Sequence, residues 1–202
     1  MITIVNYGMG NLGSMLNMFK RIGVVARIES EPAIIEQSEK LVLPGVGAFD
    51  AAMKCINTVP RLREVLDHKA LIECAPILGV CLGMQLLTRS SEEGSLPGLG
   101  WIPGVTTRFP KQDGLKVPHM GWNVAVPNTS SPLTAQVGLE PRYYFVHSYC
   151  VHVDNPSHSL MRTRYGVDFD SAIGRDNIYG VQFHPEKSHR FGMQILKNFA
   201  EL

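Results

Sequence analysis

A short segment near the middle of the chain, Gly79-Val80-Cys81-Leu82-Gly83, restricts the fold more than any other part of the sequence. An apolar run at residues 76–80 leads into it, and a periodic stretch at residues 84–87 follows. This order predicts a strand, a tight turn that carries a cysteine, and a helix. The glycines permit a bend that residues with a Cβ adopt only with difficulty. The turn should hold the Cys81 thiol at a helix N-terminus, where free N–H groups favour an anion.

Near the C-terminus, Phe183-His184-Pro185-Glu186 supplies the two groups that such a cysteine needs. A free thiol, with a pKa near ~8.5, is only about 3% ionised at neutral pH. A helix N-terminus stabilises an anion by only about 0.3–1 kcal/mol, so an imidazole must provide most of the activation. An extended backbone would place Glu186 on the same side as His184, where the carboxylate fixes the imidazole tautomer. We therefore predict a catalytic triad of Cys81, His184 and Glu186; the alternative is that Cys81 is a small buried hydrophobe.

The first half of the chain alternates strand and helix patterns. Strands are predicted at residues 2–6, 24–28, 40–43 and 76–80, and helices at residues 12–22, from 30–32 onwards and at 61–72. Repeated units of this length predict a parallel sheet that is covered on both faces. In the second half, strand-like segments follow one another at residues 105–109, 122–126, 143–153, 159–165, 170–173 and 178–183, before a last helix at 191–199. Their short connections predict antiparallel additions to the sheet.

Composition argues against several other classes of protein. A chain of 202 residues with 45% apolar residues can bury a sizeable core, so we expect one domain, 1–202. The net charge is +1, and Arg162, Arg164 and Arg175 are expected on solvated positions, not in a nucleic-acid-binding patch. Neither a signal peptide nor a membrane span is expected. The four cysteines lack close spacing, which favours free thiols in a reducing cytoplasm.

The segments around Cys81 and His184 resemble the signature of class I glutamine amidotransferases, the triad-type glutaminases. Three further segments resemble the glutaminase subunits of imidazole glycerol phosphate synthases: Leu-Pro-Gly-Val-Gly-Ala-Phe at 43–49, Pro-His-Met-Gly-Trp-Asn at 118–123 and Tyr-Phe-Val-His-Ser-Tyr at 144–149. The similarity runs from Ile2 to the C-terminal helix. It implies a flavodoxin-like α/β fold, with a mostly parallel sheet, helices on both faces and the site at the carboxyl ends of the parallel strands.

The resemblance implies that the chain hydrolyses L-glutamine to glutamate and ammonia through a cysteine thioester, without a metal or organic cofactor. Ammonia would pass to a (β/α)8 cyclase subunit of a heterodimer, which makes imidazole glycerol phosphate and AICAR in histidine biosynthesis. The alternative is a paralogous glutaminase that supplies ammonia to a sugar amidotransferase in surface-polysaccharide biosynthesis. A non-catalytic regulatory subunit on the same fold is a further alternative, and the complete set of Cys81, His184 and Glu186 argues against it.

Further site residues follow by position. The backbone N–H of Leu82 is one candidate donor to the oxyanion, and the resemblance implies that the 44–47 loop provides the other, at Gly47 or a neighbouring peptide. Glycine there would let the peptide flip, so we hypothesise that the oxyanion hole forms when a partner binds. The resemblance also assigns four residues to the amino-acid end of the substrate: Gln85, His147, Ser148 and Tyr149. The alternatives are an ordinary strand-to-helix turn at the loop and a solvent-facing helical glutamine at position 85.

The resemblance also indicates the face that docks the synthase subunit. Its predicted residues are Asn11, His119, Trp122, Tyr143, Tyr144 and Lys187. An aromatic-rich surface suits docking, because aromatic side chains supply much of the binding energy at protein interfaces. From local sequence alone, His119 and Trp122 are equally compatible with core and loop positions.

Two other patterns suggest competing functions. Gly8-Met9-Gly10-Asn11-Leu12-Gly13 matches the GxGxxG fingerprint of dinucleotide-binding proteins, and Glu29 and Glu31 follow at a suitable distance for a ribose contact. This alternative is weakened because a single domain of this size already commits its sheet edge to the thiol site. A zinc site made of Cys81, His147 and His184 is the second alternative, but it lacks paired-ligand spacing and a fourth ligand.

Overall fold

A ten-stranded sheet forms the centre of the structure, a computed structural model that describes residues 1–202. The strands of the chain are β1 (Ile2–Val5), β2 (Ala26–Glu29), β3 (Lys40–Gly45), β4 (Ile77–Cys81), β5 (Gly104–Arg108), β6 (His119–Val124), β7 (Val126–Pro127), β8 (Arg142–His147), β9 (Tyr149–Val153), β10 (Ser159–Tyr165), β11 (Val167–Arg175) and β12 (Ile178–Val181). The α-helices are α1 (Leu12–Arg21), α2 (Pro32–Ile35), α3 (Phe49–Thr58), α4 (Leu62–Leu71), α5 (Leu82–Leu86) and α6 (His189–Glu201). Short 3-10 helices occupy Pro132–Thr134, Pro156–His158 and Pro185–Lys187.

The parallel half of the sheet has the strand order β2-β1-β3-β4-β12. Strands β1 and β4 are buried along their whole length, as expected for a sheet covered on both faces. Strand β12 returns from the far end of the chain and pairs with β4, with Val181 opposite Val80. The two carboxyl ends therefore lie side by side. Cys81 ends β4 and His184 lies three residues beyond β12, so the topology brings both to one edge of the sheet.

The second half of the chain extends this sheet with antiparallel strands. Strands β11, β10 and β7 follow β12, and β9 pairs with both β11 and β5. Strands β6 and β8 form a separate two-stranded antiparallel sheet. The predicted α/β class is confirmed, with its mostly parallel centre and antiparallel additions.

The apolar core lies in two layers, one on each face of the sheet. Helices α1 and α6 bury Phe19 and Phe199 in one layer. Helices α3 and α4 bury Phe49 and Leu66 in the other. Each such side chain contributes about 1.5–3 kcal/mol when it leaves water, so both helix pairs are held to the sheet mainly by their apolar faces.

The structure differs from the sequence prediction in how three segments are organised. The strand predicted at residues 122–126 falls in two strands, β6 in the separate two-stranded sheet and β7 in the main sheet. Helix α3 was not predicted, although its buried residues Phe49, Ala52, Met53 and Ile56 recur at helical spacing. The single strand predicted at residues 143–153 is divided at Ser148 into β8 and β9. The division occurs because β8 pairs with β6, whereas β9 pairs with β5 and β11.

Candidate active site

The Cys81 turn has the strained backbone that the glycine pattern predicts. Cys81 adopts φ 55° and ψ −111°, a region that costs a non-glycine residue about 1–3 kcal/mol. A Cβ on Gly83 would lie 1.8 Å from the carbonyl oxygen of Leu43 in β3. A Cβ on Gly79 would lie 2.6 Å from the carbonyl oxygen of Gly83. The two glycines therefore let the start of α5 fold back tightly over β3 and β4 with the thiol at the bend.

Replacing Gly83 with alanine is expected to lower the free energy of unfolding by about 3 kcal/mol, because the new methyl group meets fixed backbone in β3. Gly13 provides a matched control, since a Cβ there would have no neighbour within 4 Å. Gly13→Ala should be neutral or stabilise by up to about 1 kcal/mol, because alanine is the better helix former. Urea denaturation of both variants measures the difference, and equal midpoints would contradict the close approach.

The imidazole of His184 is oriented by Glu186, whose Oε1 accepts a hydrogen bond of 2.8 Å from Nδ1. The carboxylate can only accept, so Nδ1 carries the proton and Nε2 is left to exchange one with another group. Both side chains are 3% exposed. We predicted that an extended backbone places Glu186 on the same side as His184, and this is wrong. Pro185–Lys187 forms a 3-10 turn, and the turn brings Glu186 to the imidazole ring.

The charges of the three groups are coupled. Burial alone lowers the pKa of His184, but the Cys81 thiolate and the Glu186 carboxylate outweigh it and raise that pKa to about 10. No hydrogen bond of ordinary geometry involves His184 Nε2, which is buried. The Cys81 sulfur instead accepts a contact of 3.7 Å from Gln182 Nε2 and lies 4.0 Å from the Val146 carbonyl oxygen. An imidazole in this position retains a proton taken from the thiol.

Cys81 and His184 line the same cavity, which has a volume of about 330 Å³. The cavity brings together eight predicted site residues: Gly47, Cys81, Leu82, Gln85, His147, Ser148, Tyr149 and His184. Gln85 is buried, and its Nε2 donates to Tyr149 O at 3.2 Å and to Gln182 Oε1 at 3.0 Å. The bonds fix the amide orientation and leave Gln85 Oε1 as an acceptor.

Sequence reasoning missed Glu93, which also lines the cavity. Its Oε2 accepts a hydrogen bond of 2.9 Å from the backbone N–H of Phe49 at the start of α3. This bond holds a carboxylate beside the thiol cavity, where it can face a cationic amino group. Glu93 belongs to no motif, and the acidic pair Glu92-Glu93 was the only signal in the sequence.

The residues predicted for the docking face separate into exposed and buried groups. Asn11, Trp122, Tyr144 and Lys187 are at least partly exposed, and Trp122 is 48% exposed. His119 and Tyr143 are only 2% and 0% exposed, so neither side chain is available on that surface, contrary to the prediction. Side chains alternate across the β6–β8 sheet, which turns His119 and Tyr143 towards the core and Trp122 and Tyr144 away from it.

The glycine-rich loop after β1 supports the thiol cavity. A Cβ on Gly10 would lie 3.2 Å from Pro44, and the Met9 methyl group lies near Gly47. Asn11 caps α1, with its side chain accepting from Ser14 N. In a dinucleotide site the third glycine of the fingerprint allows close packing of the helix on the strand, whereas Gly13 here faces open space. The positive φ angles of Gly8 and Gly10 (92° and 100°) and the close approach of Gly10 to Pro44 explain these two glycines without a nucleotide.

Two further properties concern the competing interpretations. No group of three or more His, Cys, Asp or Glu side chains in the structure is arranged to hold a metal ion. None of its helices combines the length and apolar character that a membrane crossing requires.

Comparisons with known proteins agree with this geometry. The family model "Glutamine amidotransferase class-I" matches residues 3–202. The chain is 49% identical to "Imidazole glycerol phosphate synthase subunit HisH 2" of Pseudomonas aeruginosa, with 100% of each chain covered. It is 48% identical to the protein of the same name from Methanococcus maripaludis, covering 100% of this chain and 99% of that one, and 47% identical to "Imidazole glycerol phosphate synthase subunit HisH" of Bdellovibrio bacteriovorus, with full coverage of both.

Solved structures show the same fold at low identity. "Structure of PurLQS from Thermotoga maritima" gives a TM-score of 0.78 at 14% identity, covering 99% of this chain and 97% of that one. "Crystal structure of glutamine amidotransferase" gives 0.73 at 15% identity, covering 99% and 97%. With a full-length family match and relatives near half identity, the chain belongs to the class-I glutamine amidotransferase family, among the HisH subunits of imidazole glycerol phosphate synthase.

Proposed function

We propose that this chain hydrolyses the side-chain amide of L-glutamine at Cys81 and delivers the ammonia to a cyclase subunit that makes imidazole glycerol phosphate and AICAR. The observation that carries the proposal is the meeting of Cys81 with the His184–Glu186 pair in one cavity at the sheet edge. The names of the relatives support the choice of pathway. Four free cysteines suit a reducing cytoplasm, where we place the reaction.

The chemistry is acyl transfer with one base. His184 Nε2 takes the thiol proton, and the Cys81 sulfur attacks the amide carbon. As the carbon–nitrogen bond breaks, His184 gives its proton to the departing nitrogen, so ammonia leaves and a glutamyl thioester remains. Water then loses a proton to His184 and attacks the thioester. The carbon–sulfur bond then breaks, glutamate is released, and the Cys81 thiolate again faces the protonated His184.

Each tetrahedral intermediate carries an oxyanion that needs fixed donors. We assign one to the backbone N–H of Leu82, beside the nucleophile, and one to the loop at Gly47. The Gly47 backbone N–H donates to no acceptor within the chain, and Gly47 has φ +111°, a conformation that suits glycine. Tyr7 anchors the base of this loop by donating to Pro44 O at 2.6 Å. An unformed hole would cost about 3–4 kcal/mol, so the subunit without its partner should be nearly inactive.

Gly47→Ala is expected to lower kcat about 100-fold while changing the KM for glutamine little, because the oxyanion exists only in the intermediates. At φ +111° an alanine is strained, so it disfavours the loop conformation that the glycine allows. Gly114→Ala is a matched control, since Gly114 also has a positive φ (80°) but does not line the cavity. Steady-state kinetics of the complex give both constants, and an unchanged kcat in Gly47→Ala would exclude the loop from the oxyanion hole.

Substrate orientation is proposed to come from polar groups around the cavity. Gln85 Oε1 and the Glu93 carboxylate can accept from the α-ammonium group of glutamine. Ser148 and Tyr149, where the chain passes from β8 to β9, also line the cavity, and Tyr149 O accepts from Gln85 Nε2. The cavity volume of about 330 Å³ accommodates an amino acid of this size.

The docking face is proposed to lie on the outer side of β6 and β8. Trp122 stacks on His189 at 5.4 Å between ring centroids and contacts the edge of Tyr144 at 6.1 Å. The Lys187 ammonium lies 5.6 Å from the centre of the Tyr144 ring. Exposed aromatic side chains held in place by their neighbours are typical anchors of protein interfaces. Asn11, at the exposed start of α1, completes the proposed set.

The experiment that tests the proposal measures glutamate release by the chain alone, with a candidate cyclase subunit, and with that subunit plus its nucleotide substrate. We expect a strong rise only when both are present. Stimulation only by a sugar-modifying synthetase would move the chain to surface-polysaccharide biosynthesis. Absence of glutaminase activity under every condition would overturn the proposal.

A further inference from the structure

Two buried histidines, His119 and His147, form a hydrogen-bonded pair beside the cavity, and His147 lines it. His119 in β6 and His147 at the end of β8 are cross-strand partners, so their side chains lie on the same face. His119 Nδ1 lies 2.9 Å from His147 Nε2. The His119 ring stacks between Phe145 and Tyr165, with centroid distances of 4.7 and 4.0 Å. The mechanism proposed above uses neither imidazole as an acid or base.

The hydrogen-bond partners at the two ends of this pair determine which ring nitrogen of each histidine carries a proton. His147 Nδ1 lies 2.7 Å from the carbonyl oxygen of Tyr149, which can only accept, so Nδ1 must carry the hydrogen. In the neutral ring, His147 Nε2 is then an acceptor, and His119 Nδ1 must donate to it. His119 Nε2 is therefore an acceptor as well. It lies 3.2 Å from Asn123 Nδ2, which is fixed as the amino group because it also donates to Arg164 O at 3.1 Å.

The result is a one-way chain of donors, Asn123 to His119 to His147 to Tyr149 O. Adding a proton to either ring would set two N–H groups against each other. Burial also opposes the charge, lowering the pKa of His119 to about 4 and that of His147 to about 3. A protonated His184 adds repulsion on His147. Both rings are thus neutral near pH 7, and the hydrogen bonds keep their direction from Asn123 to the Tyr149 carbonyl.

The two ends of the chain lie at functionally different places. The Tyr149 carbonyl oxygen accepts from both His147 Nδ1 and Gln85 Nε2, so it orients two side chains that line the cavity. At the other end, Asn123 and His119 flank Met120 and Trp122 in β6, and the latter pair is 62% and 48% exposed. Strand β6 thus carries the relay on one face and the proposed docking surface on the other.

We infer that the Asn123–His119–His147 chain is a positioning relay that sets the Tyr149 carbonyl and Gln85 for glutamine binding from the partner-facing strand β6. The inference rests on the proposed glutaminase function and adds His119 and Asn123 as positioning residues. His119 does not line the cavity. It acts through His147 and the carbonyl that orients Gln85.

The first test reads the protons directly in the full chain, independently of activity. Nitrogen-15 spectra of the imidazoles at pH 7 should show His119 and His147 as neutral Nδ1–H tautomers, the form that is less common for histidine in water. Signals are assigned from the variants that lack each histidine. An Nε2–H tautomer at either position, or a protonated ring, would overturn the relay.

The second test is kinetic, in the complex with saturating partner. His119→Phe preserves a ring in the stack but removes the donor to His147, and we expect the KM for glutamine to rise about tenfold. His119→Asn places an amide donor near the Nδ1 position and should restore KM to within about threefold. Alkylation of Cys81 by iodoacetamide, located by peptide mapping, should be unchanged in both variants because the thiol and His184 are untouched.

Phe145→Leu is the matched control, since it disturbs the same stack without removing a hydrogen bond. It should lower Tm and leave KM near the wild-type value. Equal KM values for His119→Phe and wild type, or equal rises in His119→Phe and Phe145→Leu, would overturn the inference. A wild-type complex without any glutaminase activity would instead overturn the proposed function, and the tautomer spectra would still decide whether the relay exists.

Discussion

Cys81→Ser is expected to reduce glutamine hydrolysis by the complex at least about 10⁴-fold, the largest effect of any single substitution. A serine hydroxyl is a far weaker nucleophile at neutral pH than a thiol, and its shorter bond to Cβ draws the oxygen away from the substrate carbon. His184 is also affected, because the thiolate helps to raise its pKa and an un-ionised hydroxyl does not. The variant loses both the attacking atom and the charge that holds the imidazolium in place.

The complex itself provides the control for folding. With ammonium salt added in place of glutamine, Cys81→Ser should support the cyclase reaction at the wild-type rate, since that reaction needs ammonia and not the thiol. Cys74→Ser is the matched control for cysteine loss, because Cys74 is exposed and lies outside the cavity. If Cys81→Ser hydrolysed glutamine within tenfold of wild type, Cys81 would not be the nucleophile.

The elements that meet at Cys81 were largely predictable because their signals are local. Gly79 and Gly83 predict a bend from the sequence alone, and the structure shows the backbone atoms that a Cβ at either position would meet. The apolar runs that form β1, β3 and β4 predict buried parallel strands. The pairing of β12 with β4, which brings His184 to the thiol, joins segments about 100 residues apart. The sequence analysis did not predict this pairing, because no local pattern indicates it.

The failures occurred where long-range pairing decides which way a side chain points. His119 and Trp122 belong to one short segment, and local sequence could not tell which of them faces inward. Pairing of β6 with β8 settles the alternation and buries His119 and Tyr143. Glu93 was missed for a related reason, because it reaches the cavity from a loop whose position depends on a contact with α3. Such residues carry no signal in spacing or periodicity.

Glu186→Gln is expected to lower kcat for glutamine hydrolysis by the order of 10³-fold, because it changes which nitrogen of His184 carries the proton. Glu186 Oε1 now accepts from His184 Nδ1, which leaves Nε2 free to take the thiol proton. A glutamine amide can instead donate to Nδ1. The neutral imidazole then carries its hydrogen on Nε2, where it can no longer act as the base towards Cys81. The size and shape of the side chain are almost unchanged, so a large loss would come from the tautomer.

Glu186→Gln is also expected to change how the free energy of unfolding depends on pH. Burial lowers the pKa of His184, but Cys81 and Glu186 outweigh it and raise the pKa to about 10. Their interaction with the charged ring therefore stabilises the folded state. The stabilisation is fully present below the ordinary histidine value of 6.5 and is lost as the pH rises through about 10. The difference in unfolding free energy between wild type and Glu186→Gln should therefore shrink between these limits. Glu201→Gln, an exposed neutralisation on α6, should show no such trend, and a difference that grew with pH would contradict the assigned role of Glu186.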